Sequence, residues 1–544
     1  MIERSEPLPF TPVRGRGRGG RARLLLGVIA VLIVGCGKGS FNDRKVTAAG
    51  VLTYPLDNKV TTLDPGKVQD SIMPEILNNV YEGLVAYNEQ NEIVPQLAEK
   101  WDVTDGGKTY VFHIRNAKFH DGKTVTADDF RWTWERNLGK TLASPVAADY
   151  LGAIVGVKEF ADGKAKSIAG VKVLDEHTLS VTLDKPRPYF LGNLTYPCTF
   201  VLSRTSTTDK EVRNVKEAVG TGPFKFTKVA EDAQVDLSAF DDYWGGKPKI
   251  ARIVRPVVTD PATRLSGYKS GLYDLYAFPR SDLANVQNDP VLKPQMKFEP
   301  RPSIFYFLMN QAEYAPFKDE RVRKAFSMAL NRKQIVEELL TGQNPANGLV
   351  PPGIPGYQKD YQGLPYDPKA ARALLAEAGY PDGKGLPPLE LDYRANRPDS
   401  RLASEAAATA WQRELNAPIT TKALELGALL DRRNKNLLQM ALMSWGADYL
   451  DPQNFLSLLM TSTSKLNHDG FHDAEFDRLC AEADVDGNPA HRAALYQQAE
   501  RIAVEKAARL PIYFEMQPIL ISPRIKGLRE NLFGILPHTK IEVN

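Results

Sequence analysis

The stretch MSWGADYLDPQNF, residues 443–455, sets Asp448 three positions after Trp445 and directly before Tyr449. A carboxylate among large flat side chains is costly to strip of water unless a cation answers it. That cation is a metal, a neighbouring Arg or a ligand, or else Asp448 caps a helix. The other reactive residues bear on the choice. His468 and His472 lie four apart in NHDGFHD, with Asp469 and Asp473 beside them, a donor set of the kind that holds zinc. The central Asp469-Gly470 pair breaks a helix, so one-face geometry does not follow from the spacing and a polar loop competes. Neither H-E-x-x-H nor C-x-x-C occurs in the chain.

Two triplets, Gly107-Lys108-Thr109 and Gly122-Lys123-Thr124, lack the glycine that a phosphate loop places five residues earlier; Asp102 and Ala117 stand there. In Gly220-Thr221-Gly222-Pro223-Phe224 the proline has no N–H to offer a phosphate. No G-x-S-x-G elbow is present. Hydrolytic and nucleotide chemistry therefore have no specific signal. The expectation is a protein that is not an enzyme and has no cofactor and no resident metal.

The N-terminus reads as an address. Arg14, Arg16, Arg18, Arg21 and Arg23 precede the 11-residue apolar run from Leu24 to Val34, too short for the ~17–25 residues of a membrane span. Basic region, short apolar region and small residue describe a secretory leader. Cys36 directly after Gly35 resembles a bacterial lipobox, whose cysteine becomes the lipidated first residue. The alternative is a short buried helix with a chance cysteine. Residues 1–35 hold six Arg and two Glu against +3 for the whole chain, so the remainder carries −1. The basic character belongs to the leader, and nothing argues for nucleic acid. Besides Cys36 there are only Cys198 and Cys480, so no disulfide framework holds the fold.

The remaining 509 residues, in a chain that is 43% apolar, are enough for two or three cores. Residues 36–50 read as a polar tether, and no internal repeat follows. Thr109 to Arg115 reads as a strand with Tyr110, Phe112 and Ile114 on one face. Thr126 and Asp129 resemble a capping box that opens a helix through Phe130 and Trp134. Val171 to Leu183 reads as two strands around a polar break. Asp319 to Leu340 reads as a helix pair, Asp367 to Ala378 as a helix closed by Gly379, and Pro489 to Ala508 as a helix. Strands dispersed among helices predict α/β lobes.

Six segments taken together resemble the extracytoplasmic oligopeptide- and dipeptide-binding proteins of bacterial ABC importers, solute-binding protein family 5. They are residues 61–103, 110–136 (YVFHIRNAKFHDGKTVTADDFRWTWER), 220–226 (GTGPFKF), 268–275 (YKSGLYDL), 316–335 (PFKDERVRKAFSMALNRKQI) and 444–455 (SWGADYLDPQNF). They stand in the family's order across nearly the whole chain after the leader.

The resemblance implies a two-lobed periplasmic-binding-protein fold of type II-like topology with an additional inserted domain. On that pattern a discontinuous first lobe comprises 51–81, 204–300 and 515–544. The inserted domain is 82–203 and the second lobe 301–514. Asp448, in the family's "ADY" position, is expected to take the α-ammonium of a peptide, with Ser444, Trp445, Gly446 and Tyr449 around it. An extended segment there pairs with the ligand backbone as an added strand, and Gln69, Asp70 and Ser71 face it from the other lobe. For Trp445 core packing competes with that role. Arg433 stands where some members carry a base for the peptide's carboxylate, although a surface Arg reads the same way. Where oligopeptide binders can carry another Arg, this chain has Leu442, which leaves peptide length and ligand class open: relatives of this fold also carry nickel chelates, haem, murein peptides or sugars. The partners implied are a peptide ligand, the importer's permease subunits with their ATPases, and a membrane reached through lipid on Cys36. The expected protein is a monomer in the periplasm or cell envelope. A cell-envelope hydrolase is the alternative from another class.

Overall fold

Tyr110, Phe112 and Ile114 leave the strand Thr109–Ile114 on one face and are buried, while their neighbours are half-exposed. This is the period of two that the sequence predicts. The computed structural model describes residues 49–69 and 73–544; the leader, Cys36, nearly all of the tether, Asp70 and Ser71 lie outside the described residues. That strand sits in a four-stranded sheet ordered Ala98–Thr104, Thr109–Ile114, Thr178–Thr182 and Val171–Asp175, antiparallel throughout. The helix Ala127–Leu138 packs Phe130 and Trp134 onto it. Its N-terminus carries the full capping box: the Asp129 N–H donates to Thr126 and the Thr126 N–H donates back to Asp129.

A second four-stranded sheet orders Val51–Thr53, Arg252–Pro256, Gln234–Ala239 and Phe224–Ala230. Its core holds Leu52, Phe224, Phe226, Leu237 and Ile253, with Ile541 and Val543 from the C-terminus. The glycines of 220–222 act here. A Cβ at Gly220 would lie 2.1 Å from the Val80 carbonyl, and Gly222 donates its N–H to that same carbonyl at 2.9 Å. The motif is a close backbone crossing that locks residues 220–224 onto residues 79–80, which accounts for its glycines without a phosphate.

The largest sheet has seven strands. Along its main path run Leu275–Ala277, Arg509–Ile521, Met296–Met309, Met440–Gly446, Leu389–Arg394 and Ile419–Leu424, and Asn344–Pro345 joins Arg509–Ile521. Both faces are buried. Phe305, Phe307 and Met309 enter one core with Phe326 and Trp411, while Ile304, Tyr306 and Leu308 enter the other with Phe476 and Tyr496. The near-continuous apolar run of residues 303–309 reads as such a strand. The long pair Met296–Met309 and Arg509–Ile521 is antiparallel, with a register break between Pro300 and Ile304. At its far end Leu275 packs in the core of the second four-stranded sheet, so these strands join the two bodies.

The helical expectations met three modifications. In Asp319 to Leu340 a helix Glu320–Met328 forms, but the second member begins at Arg332 and widens into the π-helical turn Ile335–Leu339. The helix from Pro368 ends at Glu377, with Gly379 at φ +94° beyond it. The helix from Pro489 stops at Glu505, because Ala507 takes φ +47° and Arg509 starts the long strand. Cys198 and Cys480 are buried free thiols in separate cores.

Candidate ligand-binding site

The strand Met440–Gly446 pairs antiparallel with Met296–Met309, from Met440↔Met309 to Gly446↔Ser303. On its other side Leu389–Arg394 runs parallel only at Leu391↔Met440 and Asp392↔Ala441. From Leu442 to Gly446 that edge has no strand partner among the described residues. An open edge of backbone donors and acceptors is a template for another extended chain. Ser444 and Gly446 are exposed along it and Trp445 is half-buried. Beyond Gly446 the Ala447 N–H donates to the Pro302 carbonyl at 2.7 Å, and the chain turns at Asp448.

The turn is held by Asn454, which is wholly buried at the end of the short 3₁₀ turn Pro452–Asn454. Its Oδ1 accepts the Trp445 indole N–H at 2.8 Å and the Asp448 backbone N–H at 3.2 Å. Tyr449 points away from the open edge. Its hydroxyl donates to Gln453, and its ring stacks on Tyr189 with centroids 5.7 Å apart and planes 9° from parallel. A Cβ at Gly192 would come within 3.1 Å of the Tyr449 Cβ, so the packing there is close. The Leu450 N–H donates to the Tyr87 hydroxyl at 3.0 Å. The turn after the strand is thus docked against residues 87, 189 and 192, and Phe190 and Leu194 beside them pack in the core of the first four-stranded sheet described above.

Within this turn the two acids differ. Asp451 is bound by Arg492 through both Nη atoms at 2.7 Å. Among the described residues Asp448 makes no ion pair. Burial raises its carboxyl above the usual carboxylate range. The Asn454 amide and the Tyr150 hydroxyl oppose that rise, and the Asp149 carboxylate adds to it. The aromatic surround is completed by Tyr150, stacked on Tyr196 with centroids 4.1 Å apart. Among the described residues this half-buried carboxylate holds polar neighbours and no cation, an arrangement that favours a positive charge beside it.

Of the other expected site residues, Gln69 is exposed, and Asp70 and Ser71 lie outside the described residues. Arg433 sits in the last turn of the helix Leu426–Asn434, half-buried, and donates from Nε and Nη2 to Asn434 at 3.2 and 3.0 Å. It makes no ion pair among the described residues, whereas its neighbour Arg432 pairs with Glu390 and Asp392. Burial lowers the Arg433 pKa, with the Arg509 charge acting in the same direction and Tyr306 against it. Leu442 is a core side chain, 3% exposed and opposite Phe307, so its face of the strand has no room for a ligand-directed base. The two acids of NHDGFHD are committed elsewhere. Asp469 is buried against Arg509, and Asp473 caps the helix Ala474–Ala483 and pairs with Lys506. Among the described residues no cluster of metal-ligating side chains forms. Asn454 and Tyr150 are functional neighbours of Asp448 that the sequence reading does not single out.

Among the described residues an unpaired carboxylate thus stands beside an open strand edge. The model of the family described as bacterial extracellular solute-binding proteins, family 5 Middle, matches residues 92–467, and the chain belongs to that family. It is 31% identical over 479 residues to heme-binding protein A of Haemophilus influenzae, covering 84% of this chain and 85% of the relative. It is 30% identical over 526 residues to the periplasmic oligopeptide-binding protein OppA of Escherichia coli, covering 93% and 95%. The fold superposes on the unliganded open form of the periplasmic murein tripeptide-binding protein MppA with a TM-score of 0.79 and 27% identity, covering 92% and 98%. The architecture is the two-lobed α/β fold of periplasmic binding proteins, as the sequence predicts, and the chain is a solute-binding protein. No helix among the described residues is long and apolar enough to cross a membrane.

Proposed function

We propose that this protein captures peptides by their α-ammonium at Asp448 and delivers them to the permease subunits of an ABC importer, with no chemistry of its own. The observation that carries the reading is the contrast within one turn: Asp451 has Arg492, and Asp448 has no cation among the described residues. An ammonium is carried by every free peptide, and a charge-assisted bond to it fixes register without consulting side chains. The open edge from Leu442 to Gly446 supports pairing with the ligand backbone, which is equally independent of sequence. Ser444 and Gly446 offer that edge, Trp445 walls it, and Tyr449 holds the turn through its stack on Tyr189. Arg433 is the candidate for the peptide's carboxylate, with Gln69, Asp70 and Ser71 as the facing wall. Closure would bring together lobes divided at 51–81 with 204–300 and 515–544, and at 301–514, with 82–203 as the inserted domain. Lipid on Cys36 would tether a monomer to a membrane in the periplasm or cell envelope.

A non-peptide solute is the second reading, favoured by the relative named for haem. Native mass spectrometry of the protein purified gently from its host, followed by denaturation, separates the two. A ladder of short peptides is the expected cargo. A single non-peptide species would keep the fold and overturn the substrate.

A further inference from the structure

An amide side chain has an accepting end and a donating end, and at Asn454 the accepting end is fully assigned. Oδ1 takes both the Trp445 indole N–H and the Asp448 backbone N–H. Nδ2 must therefore point the other way. It is buried and completes no hydrogen bond among the described residues. A buried donor left without an acceptor is costly, and a turn that needed only an acceptor would be served equally well by an aspartate, as Asp451 serves three residues earlier. The acid groups beside the Asn454 amide are the Asp448 carboxyl, on the residue whose backbone N–H its oxygen accepts, and the Tyr449 phenol.

We infer that Asn454 is a positioning residue for the ligand anchor: its oxygen holds Trp445 and the Asp448 backbone in place, and its NH2 orients the Asp448 carboxylate towards the ligand's cation. This rests on the proposal that Asp448 receives a ligand ammonium. The groups that face the Asp448 carboxyl are Asp149 and Tyr150 on the helix Ala147–Leu151, and Tyr449 adjoins it, stacked on Tyr189. Burial holds the phenols of Tyr150, Tyr189 and Tyr449 above their ordinary pKa, so they stay neutral across the acid range. Asp451 is neutralised by Arg492. Loss of binding on acidification then reports chiefly on Asp448, with Asp149 as its acidic neighbour among the described residues.

The test is calorimetric titration of di-, tri- and tetra-alanine between about pH 4 and pH 8 into the parent protein, Asn454→Asp and Asn454→Leu. Asn454→Asp keeps an oxygen for both N–H donors and replaces the NH2 with a second acceptor; Asn454→Leu removes both ends. The parent should lose affinity on acidification through one titration, and both variants should move its midpoint upward by about one pH unit. The added carboxylate of Asn454→Asp raises that midpoint by itself, so the uncharged Asn454→Leu is the diagnostic variant: a purely structural residue would change its affinity or melting temperature without moving its midpoint. A folded Asn454→Leu with an unmoved midpoint overturns the inference. If Asn454→Leu fails to fold, Asn454→Ser, which is also uncharged, takes its place under the same criterion. A parent that binds none of these peptides, or binds them equally at all pH values, overturns the anchoring reading itself and the inference with it.

Discussion

Arg492 grips Asp451 with both Nη atoms at 2.7 Å, and it also donates from Nε to the Ala483 carbonyl at 2.9 Å. Both side chains are nearly excluded from water. The pair fastens the turn that carries Asp448 to the helix Pro489–Glu505, so the Asp448 carboxylate stands on a fixed base. Arg492→Met would leave Asp451 charged, buried and unanswered. The expected cost is about 3–5 kcal/mol of folding stability, the range for breaking a buried pair by removing one partner. Urea unfolding checks it, and a change under about 1 kcal/mol would show that the turn is held by other contacts.

Asp448→Ala should separate affinity from stability. Peptide affinity should fall by about 2–5 kcal/mol, as when one partner of a buried charge pair is removed. Folding stability at neutral pH should hold or rise, because the free protein loses a carboxylate that burial already disfavours. Calorimetry and thermal unfolding on the same preparation measure both. Unchanged affinity would end the anchoring role of Asp448.

Blocking the ligand's charge is the complementary change. An N-acetylated peptide presents no ammonium, so Asp448 would have to enter the closed cleft without its counter-ion. Binding should weaken at least tenfold relative to the free peptide, on the order of 1.4 kcal/mol or more. Competition against a fluorescent free-amine peptide reads this directly. Equal inhibition by both forms would mean that the ammonium is not recognised.

Much of this was legible from residue types alone. The strand Thr109–Ile114 and the helix Ala127–Leu138 follow from a period of two and a capping box, both local signals. Asp448 stands out because a charge flanked by aromatics has a desolvation cost that calls for a partner. Asn454 does not, since an Asn after Pro452-Gln453 reads as ordinary turn chemistry, and only the coordinates reveal that its oxygen is doubly occupied. Tyr150 is invisible in sequence for another reason. Its place beside Asp448 comes from the docking of one body on another, which no spacing along the chain encodes. The widened turn at Ile335–Leu339 is likewise a tertiary outcome, because π-helical pairing has no composition of its own.

Glu82 gives the prediction for a carboxylate buried away from the open strand edge. It is 1% exposed and accepts from the Tyr243 hydroxyl at 2.8 Å, the Trp244 indole at 2.9 Å and the Thr221 hydroxyl at 2.9 Å. Burial nevertheless pushes its carboxyl up to about 7, against the pull of those donors and of Arg115. In the unfolded chain the same group ionises near 4.5. Below that pH both states are protonated and burial carries no penalty. As pH rises from about 4.5 to about 7 the unfolded chain gives up its proton first, so this group's contribution falls by about 3 kcal/mol and then stays level. Glu82→Gln keeps the shape and cannot ionise. Other groups also titrate in this range, so the quantity to follow is the difference in unfolding free energy between variant and parent. That difference should shift in the variant's favour by about 3 kcal/mol from pH 4.5 to pH 7.5, measured by urea unfolding. Parallel curves for the two proteins would mean that Glu82 is ionised throughout, and that its donors outweigh the cost of burying the charge.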